Sequence, residues 1–418
     1  MRVLLLLDDY QVTPFSEAVL DHCERWKPIR QLVMSCVAFG PPGPLEDHLR
    51  KVGVGTQSVA ASSVRDVMNL KKAGDGFLYR RDRPDLVLAF CRWPAMEARL
   101  FHGGNPYVPM VLSTCDDGKA SAQSFAVRMA ATFWERRTRD RIRRIVVPTM
   151  RAKKALLARG ISEDSITRIA PGVNAVEAYP LPDHKRDRYR MLMGLGHDVP
   201  LVVSVCPLDD PTIDDLIAIM QSVTRQLPDA RLFIFGEGSR REAVREKIDK
   251  AALSSSVTLI GAMSTIHAKI FSAADVALHT TADGNGYTLI AEAQACETAV
   301  VAYRNTSAEE LIIDGQTGLL VERGNHAKAA EAVVALLNDH DRRKTLGADA
   351  RAFVLEHHEA TNSAEKYVRL WQEVAPDADW KTTTGSISLQ ELNEIKEDAE
   401  SRMRTPLPAK RSGLGKLS

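Results

Sequence analysis

The stretch ADVALHTTADGNGYTLIAEAQACETAVVAYRNTSAEELIIDGQTGLLV, residues 274–321, decides the fold because it alternates predicted strand and helix in short steps. Residues 275–278 are an apolar run short enough for a buried parallel strand. Two glycines interrupt the pattern within residues 283–286, and residues 287–296 then carry apolar side chains at helical spacing. Residues 299–303 are the next apolar run. This alternation predicts an α/β domain built on a parallel sheet.

The glycine-rich loop before the predicted helix is a candidate phosphate site. A loop of this kind ends at free backbone N–H groups and at the positive end of the helix dipole, which suits a phosphate or diphosphate. Glycines also serve turn geometry alone, so the loop by itself is a weak signal. Glu292 strengthens it, because a carboxylate on the polar side of this helix can accept both hydroxyls of a ribose. We therefore predict nucleotide contacts from Gly284, Asn285, Gly286, Thr288 and Glu292.

The pattern EAQACETAVVA, followed by NTSAEELIIDGQTGLLV, resembles the carboxyl-terminal half of retaining GT-B glycosyltransferases of the family-4, or group 1, kind. That family carries two glutamates eight positions apart, then Glu-Ala-Met-Ala-Cys-Gly and a Pro-Val-Val strand. Glu292 matches the second glutamate, to which the resemblance assigns the nucleotide ribose. The first falls on Gly284, with Asp283 beside it, so the residue that usually touches the donor sugar is missing or displaced. Asp283 becomes a catalytic candidate in its place.

Composition restricts the class of protein. The chain of 418 residues is long enough for two or three domains with ample cores. Hydrophobic residues make up 44% and charged residues 26%, which is typical of a soluble globular protein, and the net charge of +1 does not favour nucleic acid. The six cysteines have no paired spacing and most sit among apolar residues, which predicts reduced core thiols rather than disulfides or zinc ligands.

The sequence carries no signal for membrane insertion. No apolar run reaches the ~18 residues of a membrane span. Residues 3–7 are apolar, but the run is short and Asp8 and Asp9 follow it, which is atypical of a signal peptide. We interpret this run as the first buried strand and expect a cytoplasmic protein.

The amino-terminal half alternates strands and helices at the spacing of a doubly wound parallel sheet, in which ligands bind beyond the carboxyl ends of the strands. Predicted strands include 31–38, 58–60, 84–90 and 109–114, and residues 63–81 predict a long helix. The order of elements resembles the acceptor domain of the same family.

The chemistry of this half matches the family less well. Residues 8–15, after the first strand, lack the family's glycine-rich acceptor loop. Where the family has a histidine near the transferred sugar, this chain has Cys115, Asp116 and Asp117. Asp116 is a catalytic candidate that can bind sugar hydroxyls, and a solvated acidic turn is the alternative. For Cys115, a buried thiol is favoured over a nucleophile, because no histidine is near in sequence.

A cluster of arginines, here called the arginine cluster, follows Phe133 and Trp134. Its members are Arg136, Arg137, Arg139, Arg141, Arg143 and Arg144. A basic helix with aromatic residues can lie on an anionic membrane surface at the inner face of the membrane. The alternative is a solvated helix face that Glu135 and Asp140 partly neutralise. The resemblance favours the membrane slightly, since many such enzymes act on lipid-linked acceptors.

The loop after the first strand of the second half departs most from the family. Residues 206–212 read CPLDDPT, where the family has an arginine and a lysine that clamp the donor diphosphate. No lysine or arginine occurs from residue 191 to residue 224. Asp209 and Asp210 instead place negative charge where the diphosphate would come.

Other donor contacts are expected near the same loop. The turn with Gly236 and Glu237 resembles the family's Gly-Asp-Gly turn. Replacement cations for the missing clamp are Arg240, Arg241 and Arg304, of which Arg304 is the predicted donor contact.

These observations predict an α/β protein of GT-B fold, with two Rossmann-like doubly wound parallel-sheet domains and an interdomain cleft. We place an acceptor-side domain at 1–185, a nucleotide-sugar-side domain at 186–360, a crossover helix at 361–375 and a flexible tail at 376–418. The charged segment 183–190 is expected to be the linker between the domains.

The resemblance implies a retaining glycosyltransferase of hexosyltransferase type. It would transfer a sugar from a nucleotide-sugar donor to a glycan or lipid-linked acceptor in polysaccharide or glycoconjugate synthesis. Neither a cofactor nor a metal is implied, because the donor is a substrate and the fold handles diphosphate charge with backbone and basic groups. The missing clamp predicts weak transfer or a need for a protein partner. It also leaves open a catalytically degenerate scaffold subunit. A dinucleotide-dependent oxidoreductase is disfavoured, since no G-x-G-x-x-G follows the first strand.

Overall fold

The structure is a computed structural model in which two parallel β-sheets form the centres of two domains. It describes residues 1–7, 14–27, 29, 32–38, 42–58, 84–90, 110–113, 142–158, 160–261, 267–281, 286–376 and 378. The predicted helix at 63–81 and the tail from residue 379 onward lie outside these ranges.

The first sheet has seven strands in the order β3-β2-β1-β4-β5-β6-β7, all parallel. The strands are β1 (Arg2–Leu7), β2 (Val33–Ala38), β3 (Gly55–Ser58), β4 (Leu86–Phe90), β5 (Met110–Ser113), β6 (Ile142–Val147) and β7 (Ile166–Arg168). The described helices of this part are α1 (Pro14–Trp26), α2 (Pro44–Lys51) and α3 (Met150–Ala158). The third strand lies a few residues before the predicted position.

The second sheet has six parallel strands in the order β10-β9-β8-β11-β12-β13. The strands are β8 (Leu201–Val205), β9 (Arg231–Phe235), β10 (Val257–Gly261), β11 (Val276–His279), β12 (Ala299–Tyr303) and β13 (Leu319–Val321). The helices are α4 (Asp183–Leu192), α5 (Ile213–Gln226), α6 (Arg241–Lys250), α7 (His267–Ala273), α8 (Tyr287–Ala295), α9 (Thr306–Leu311), α10 (His326–Asn338), α11 (His340–His358) and α12 (Ala360–Val374).

The central strands are mostly apolar because helices cover both faces of each sheet. All five residues of β12 are buried, and β11 pairs with it in register from Val276 opposite Ala299. Val202 and Val301 face one apolar cluster, while Val203 and Val300 face another. Because both faces of these strands are buried, the strands appear in the sequence as apolar runs, and these runs predicted them.

The predicted linker at 183–190 is wrong, because this segment is the helix α4. Arg190 is buried, and its guanidinium donates to the carbonyl of Ala273 at 2.9 Å and to Asp275 at 3.4 Å. Arg186 contacts the same carboxylate at 2.7 Å. These ion pairs attach α4 to the second sheet. The segment that the sequence predicted to be a solvated linker is therefore a helix packed on the second domain.

Arg143 and Arg144 correct the helical interpretation of the arginine cluster. Both lie in the strand β6, which begins at Ile142. Arg143 is exposed and Arg144 is half-buried, and the Arg144 guanidinium donates to the carbonyl of Arg143 at 3.1 Å. The other four arginines of the cluster lie outside the described residues.

The chain crosses between the domains twice, and the two crossings lie side by side. The N–H of Val173 donates to the carbonyl of His358 at 2.8 Å, and the N–H of Ala360 donates back to Val173 at 3.0 Å. A Cβ on Gly172 would lie 2.1 Å from the Cα of Ala360, so only glycine permits this approach. After the second crossing, α12 packs on the first domain through Trp371, which belongs to that domain's core.

The described cysteines behave as predicted: Cys23, Cys36, Cys206 and Cys296 are buried thiols. Each helix within the described residues is too short or too polar to span a lipid bilayer.

Candidate functional site at the carboxyl edge of the second sheet

The candidate site lies where the strand order of the second sheet reverses, between β8 and β11. In doubly wound sheets, the loops at the carboxyl ends of strands diverge at this point and leave a crevice for a ligand. The predicted donor residues follow β9, β11 and β12 and therefore share this edge.

Gly236 lies in backbone contact with the loop that follows β8 and with the end of β10. Its N–H donates to the carbonyl of Gly261 at 3.0 Å, and a Cβ there would lie 1.9 Å from the carbonyl oxygen of Cys206. The carbonyl of Glu237 accepts the N–H of Leu208 at 3.0 Å. The loops after β8 and β9 and the last residue of β10 are thus in backbone contact, and the Gly236 position excludes any side chain.

Asp209 is held by the turn that begins α6. One carboxylate oxygen accepts the N–H of Ser239 at 3.1 Å, and the other accepts the Ser239 hydroxyl at 2.9 Å and the N–H of Arg240 at 3.0 Å. The hydrogen bonds from Ser239, and then that from Arg240, lower the pKa of Asp209. Its negative charge therefore lies beside the start of α6, and the residue remains exposed.

Asp210 closes a similar local turn at the start of α5. Its carboxylate accepts the N–H of Thr212 at 2.9 Å and the Thr212 hydroxyl at 2.7 Å. Both acidic residues of the loop therefore have a structural role, because their carboxylates accept backbone N–H groups of the turns that lead into α5 and α6.

The three arginines proposed as replacement cations all contact carboxylates. Arg240 lies 3.8 Å from Asp214. Arg241 lies 3.5 Å from Glu237 and donates to the carbonyl of Leu259 at 3.0 Å. A donor diphosphate would therefore have to compete with these carboxylates for either guanidinium.

Arg304 is the most strongly engaged of the three. It follows β12 at the correct edge, but its guanidinium contacts Glu322 at 2.8 Å, Asp314 at 3.2 Å and Glu309 at 3.4 Å. The donor role of Arg304 remains a prediction, and it requires the guanidinium to leave at least one of these ion pairs.

The start of α8 presses against a buried histidine. Gly286 is the N-cap, and a Cβ on it would lie 1.8 Å from Nε2 of His279. That ring nitrogen lies 2.6 Å from the Thr281 hydroxyl, and burial lowers the pKa of His279 to about 4. The neutral imidazole of His279 therefore packs against the N-cap of α8, and only glycine at position 286 leaves room for this contact.

Glu292 lies on α8 after the glycine position and is half-buried. Burial raises the pKa of the neighbouring Cys296 thiol to about 12, and the Glu292 charge adds to the rise. Thr288, in the first turn, is also half-buried. Both side chains are placed on the helix that the sequence predicted.

The end of α8 holds a non-glycine residue in the left-handed region. Glu297 has φ 59°, and it occupies the place where the resembled family has the glycine of Glu-Ala-Met-Ala-Cys-Gly. Helices commonly end in this conformation, which glycine adopts without strain. The carbonyl of Glu297 would lie 2.1 Å from a Cβ on Gly347, so α11 approaches α8 closely here.

Four predicted site residues, Asp116, Asp283, Gly284 and Asn285, lie outside the described residues. The structure places Gly236, Glu237, Gly286, Thr288, Glu292 and Arg304 on elements of one sheet edge. Within the described ranges, no three His, Cys, Asp or Glu side chains gather as they would for a metal ion.

The sequence reasoning missed His279, Asn305 and Gln294. Asn305 caps α9 and donates its side-chain amide to the carbonyl of Thr281 at 3.4 Å. Gln294, fully buried on α8, donates to the carbonyl of Leu311 at 2.8 Å. The available signal for Gln294 was a polar residue between two alanines on a predicted helix.

The fold is shared with solved glycosyltransferases. A structure of HepE from Anabaena in complex with UDP and glucose superposes with a TM-score of 0.73 at 16% identity, covering 89% of this chain and 100% of that one. A glycosyltransferase from Rickettsia africae gives a TM-score of 0.76 at 17% identity over 90% of this chain and 99% of that one. The protein therefore has the GT-B fold, with two Rossmann-like domains.

The second domain also matches a family. Residues 198–353, from just before β8 into α11, match the family model of Glycosyl transferases group 1. A putative glycosyltransferase EpsD from Bacillus subtilis is 26% identical over 46% of this chain and 51% of its own length. A GDP-mannose-dependent alpha-(1-6)-phosphatidylinositol monomannoside mannosyltransferase from Mycolicibacterium smegmatis is 30% identical over 46% of this chain and 52% of its own length. The chain thus spans about half the length of these relatives.

Proposed function

We propose that the protein transfers a sugar from a nucleotide-sugar donor to a glycan or lipid-linked acceptor in polysaccharide or glycoconjugate synthesis. The proposal rests on one observation: the segment that matches a glycosyltransferase family also contains the predicted donor residues. The group 1 glycosyltransferase match covers residues 198–353, and the predicted donor residues lie at the carboxyl edge of the sheet within that segment. The resemblance adds retention of anomeric configuration to the proposal.

The donor would bind along the start of α8. Its diphosphate would meet the N-terminus of this nine-residue helix at Gly286, where the dipole favours negative charge. Glu292 would accept the ribose hydroxyls, and the turn at Gly236 and Glu237 would border the nucleotide. The HepE complex contains UDP, while the mycobacterial relative is described as GDP-mannose-dependent, so both bases belong in a test.

Charge compensation is the weak point of this site. Each charge-assisted contact that the family's clamp would supply is worth roughly 1.5–3 kcal/mol, so two absent contacts correspond to about 3–6 kcal/mol. Since Arg240, Arg241 and Arg304 already face carboxylates, recruiting one of them loses an existing ion pair. We therefore propose weak transfer by the protein alone, or completion of the site by a partner protein.

The catalytic residues and the acceptor contacts are proposed from the sequence. Asp116 and Asp283 remain the proposed catalytic carboxylates. The arginine cluster remains a proposed contact with an anionic membrane surface, now with Arg143 and Arg144 on a strand. A scaffold role was the alternative, and the comparisons favour the glycosyltransferase over it.

Calorimetric titration with UDP, GDP and their sugar conjugates tests the proposal. We expect at least one nucleotide to bind, and Glu292→Gln to weaken it about 10- to 150-fold, which corresponds to the ~1.5–3 kcal/mol of a charged hydrogen bond. Glu297→Gln is the matched control, because it removes an exposed carboxylate just beyond the end of the same helix. Equal affinities of the two variants would remove Glu292 from the site. Failure of every nucleotide to bind would overturn the proposed function.

A further inference from the structure

The carboxylate of Glu310, which lies on α9 of the second domain, contacts the first domain. One of its oxygens accepts the N–H of Met150 at 2.7 Å, and the other lies 2.5 Å from the Arg168 guanidinium. Met150 is the first residue of α3, and Arg168 is the last residue of β7. Both partners therefore belong to the carboxyl edge of the first sheet, across the cleft from α9.

The charges on the two sides of the Glu310 contact are complementary. The helix α3 has no acidic residue in its first turn, so the positive end of its dipole has no compensating charge of its own there. Glu310 supplies that charge from the other domain, and Arg168 supplies a second donor. The Glu310 side chain is only 11% exposed, so water screens the pair less than at an open surface.

The helix that carries Glu310 is fixed to the donor side at both ends. At its start, Asn305 donates to the carbonyl of Thr281 in the loop after β11 at 3.4 Å. At its end, Gln294 of α8 donates to the carbonyl of Leu311 at 2.8 Å. The position of Glu310 is thereby tied to the loop and helix that form the candidate donor site.

The contact also lies next to the place where the chain crosses between domains. Arg168 precedes by a few residues the segment at Val173 that pairs with Glu359 in the second crossing. A contact beside a hinge controls the angle between the bodies that the hinge joins, because a small change there becomes a large displacement at the far end of the cleft.

We infer that Glu310 is a positioning residue that holds the two domains at a fixed angle by closing on the start of α3 and on Arg168. It sets where the acceptor-side sheet stands relative to the donor-side sheet. This inference goes beyond the proposed function, and its test uses no nucleotide, so it stands or falls separately from sugar transfer.

The test combines small-angle X-ray scattering with hydrogen exchange followed by mass spectrometry. In Glu310→Ala we expect a larger radius of gyration and about tenfold faster exchange of the Met150 amide, as for a lost hydrogen bond of about 1.4 kcal/mol. Glu309→Ala is the matched control, because this neighbouring carboxylate pairs with Arg304 within its own domain. It should leave the radius and the exchange unchanged.

Two further variants separate positioning from mere destabilisation. Arg168→Ala, on the opposite domain, should enlarge the radius as Glu310→Ala does, and the double variant should enlarge it no further. Glu310→Gln keeps an acceptor for Met150 but loses the charge, so its exchange should fall between the parent and Glu310→Ala. If both alanine variants are folded by circular dichroism and keep the radius of the parent, the inference is overturned.

Discussion

Replacing Gly286 by alanine tests whether the start of α8 rests on the His279 ring. The added Cβ would lie 1.8 Å from Nε2 of His279, whereas non-bonded heavy atoms prefer roughly 3.5–4 Å. The backbone of Gly286, at φ −106° and ψ −6°, is accessible to alanine, so the collision is the main cause of any loss. The ring has little room to retreat, because His279 is only 6% exposed and lies against Thr281.

The expected magnitude follows from that geometry. Forcing extra atoms into a packed site costs about 1–3 kcal/mol, and loss of a glycine cap adds a smaller amount. For a domain of this size, each kcal/mol lowers the melting temperature by roughly 2–4 °C, so a fall of about 2–12 °C is expected. Gly196→Ala is the matched control, since the nearest atom to its Cβ would be Val199 Cγ2 at 3.6 Å, an ordinary contact.

A double-mutant cycle with His279→Ala isolates the collision. In that background the ring is gone, so Gly286→Ala should lose most of its effect on the free energy of unfolding, leaving the cap contribution alone. Urea unfolding of the four proteins, followed by circular dichroism, measures the coupling. An equal loss in both backgrounds would refute the idea that the histidine supports the helix start.

Three other outcomes are expected. Glu297→Gly should raise the free energy of unfolding by about 1 kcal/mol over Glu297→Ala, because only glycine relieves the left-handed backbone, and a lower value in a thermal melt would contradict this. Burial lowers the pKa values of His279 and His358 to about 4, below the ordinary 6.5, so their contribution is present above about pH 6.5. Unfolding measured at a series of pH values should show that the contribution of each histidine to the free energy of unfolding falls by about 1.4 kcal/mol per pH unit as the pH falls toward 4. Arg190→Met should lower the free energy of unfolding by about 3 kcal/mol, at the lower end for a broken buried pair because Arg186 still holds the same aspartate, and a neutral result in urea would show that the pair is dispensable.

Much of the second domain was predictable because its signals are local. A strand such as β12 is buried on both faces, so its apolar run alone reveals it. The helix α8 carries its own period, which placed Glu292 on a helix, while its role in binding stays a prediction.

The failures came from interactions distant in sequence. The charged residues of segment 183–190 predicted a solvent-exposed linker. Arg190 is nevertheless buried, where it pairs with Asp275, a residue distant in sequence. The sequence predicted the negative charge of Asp209, but it did not reveal the hydrogen bonds from Ser239, which lies on another loop. Periodicity does not reveal which distant partner will neutralise a charge. The interdomain contact of Glu310 was beyond the sequence for the same reason.

The return of α12 to the first domain has a consequence for how the chain acquires its structure during synthesis. Trp26 donates its indole N–H to the carbonyl of Ala364 at 3.2 Å, and its ring lies 4.5 Å from that of Trp371. These partners leave the ribosome about 340 residues after Trp26. At roughly 5–20 residues per second, the first domain waits about 17–70 s for the helix that completes its core. The second domain, whose strands are contiguous in the chain, is finished earlier, so the order of completion runs opposite to the order of translation.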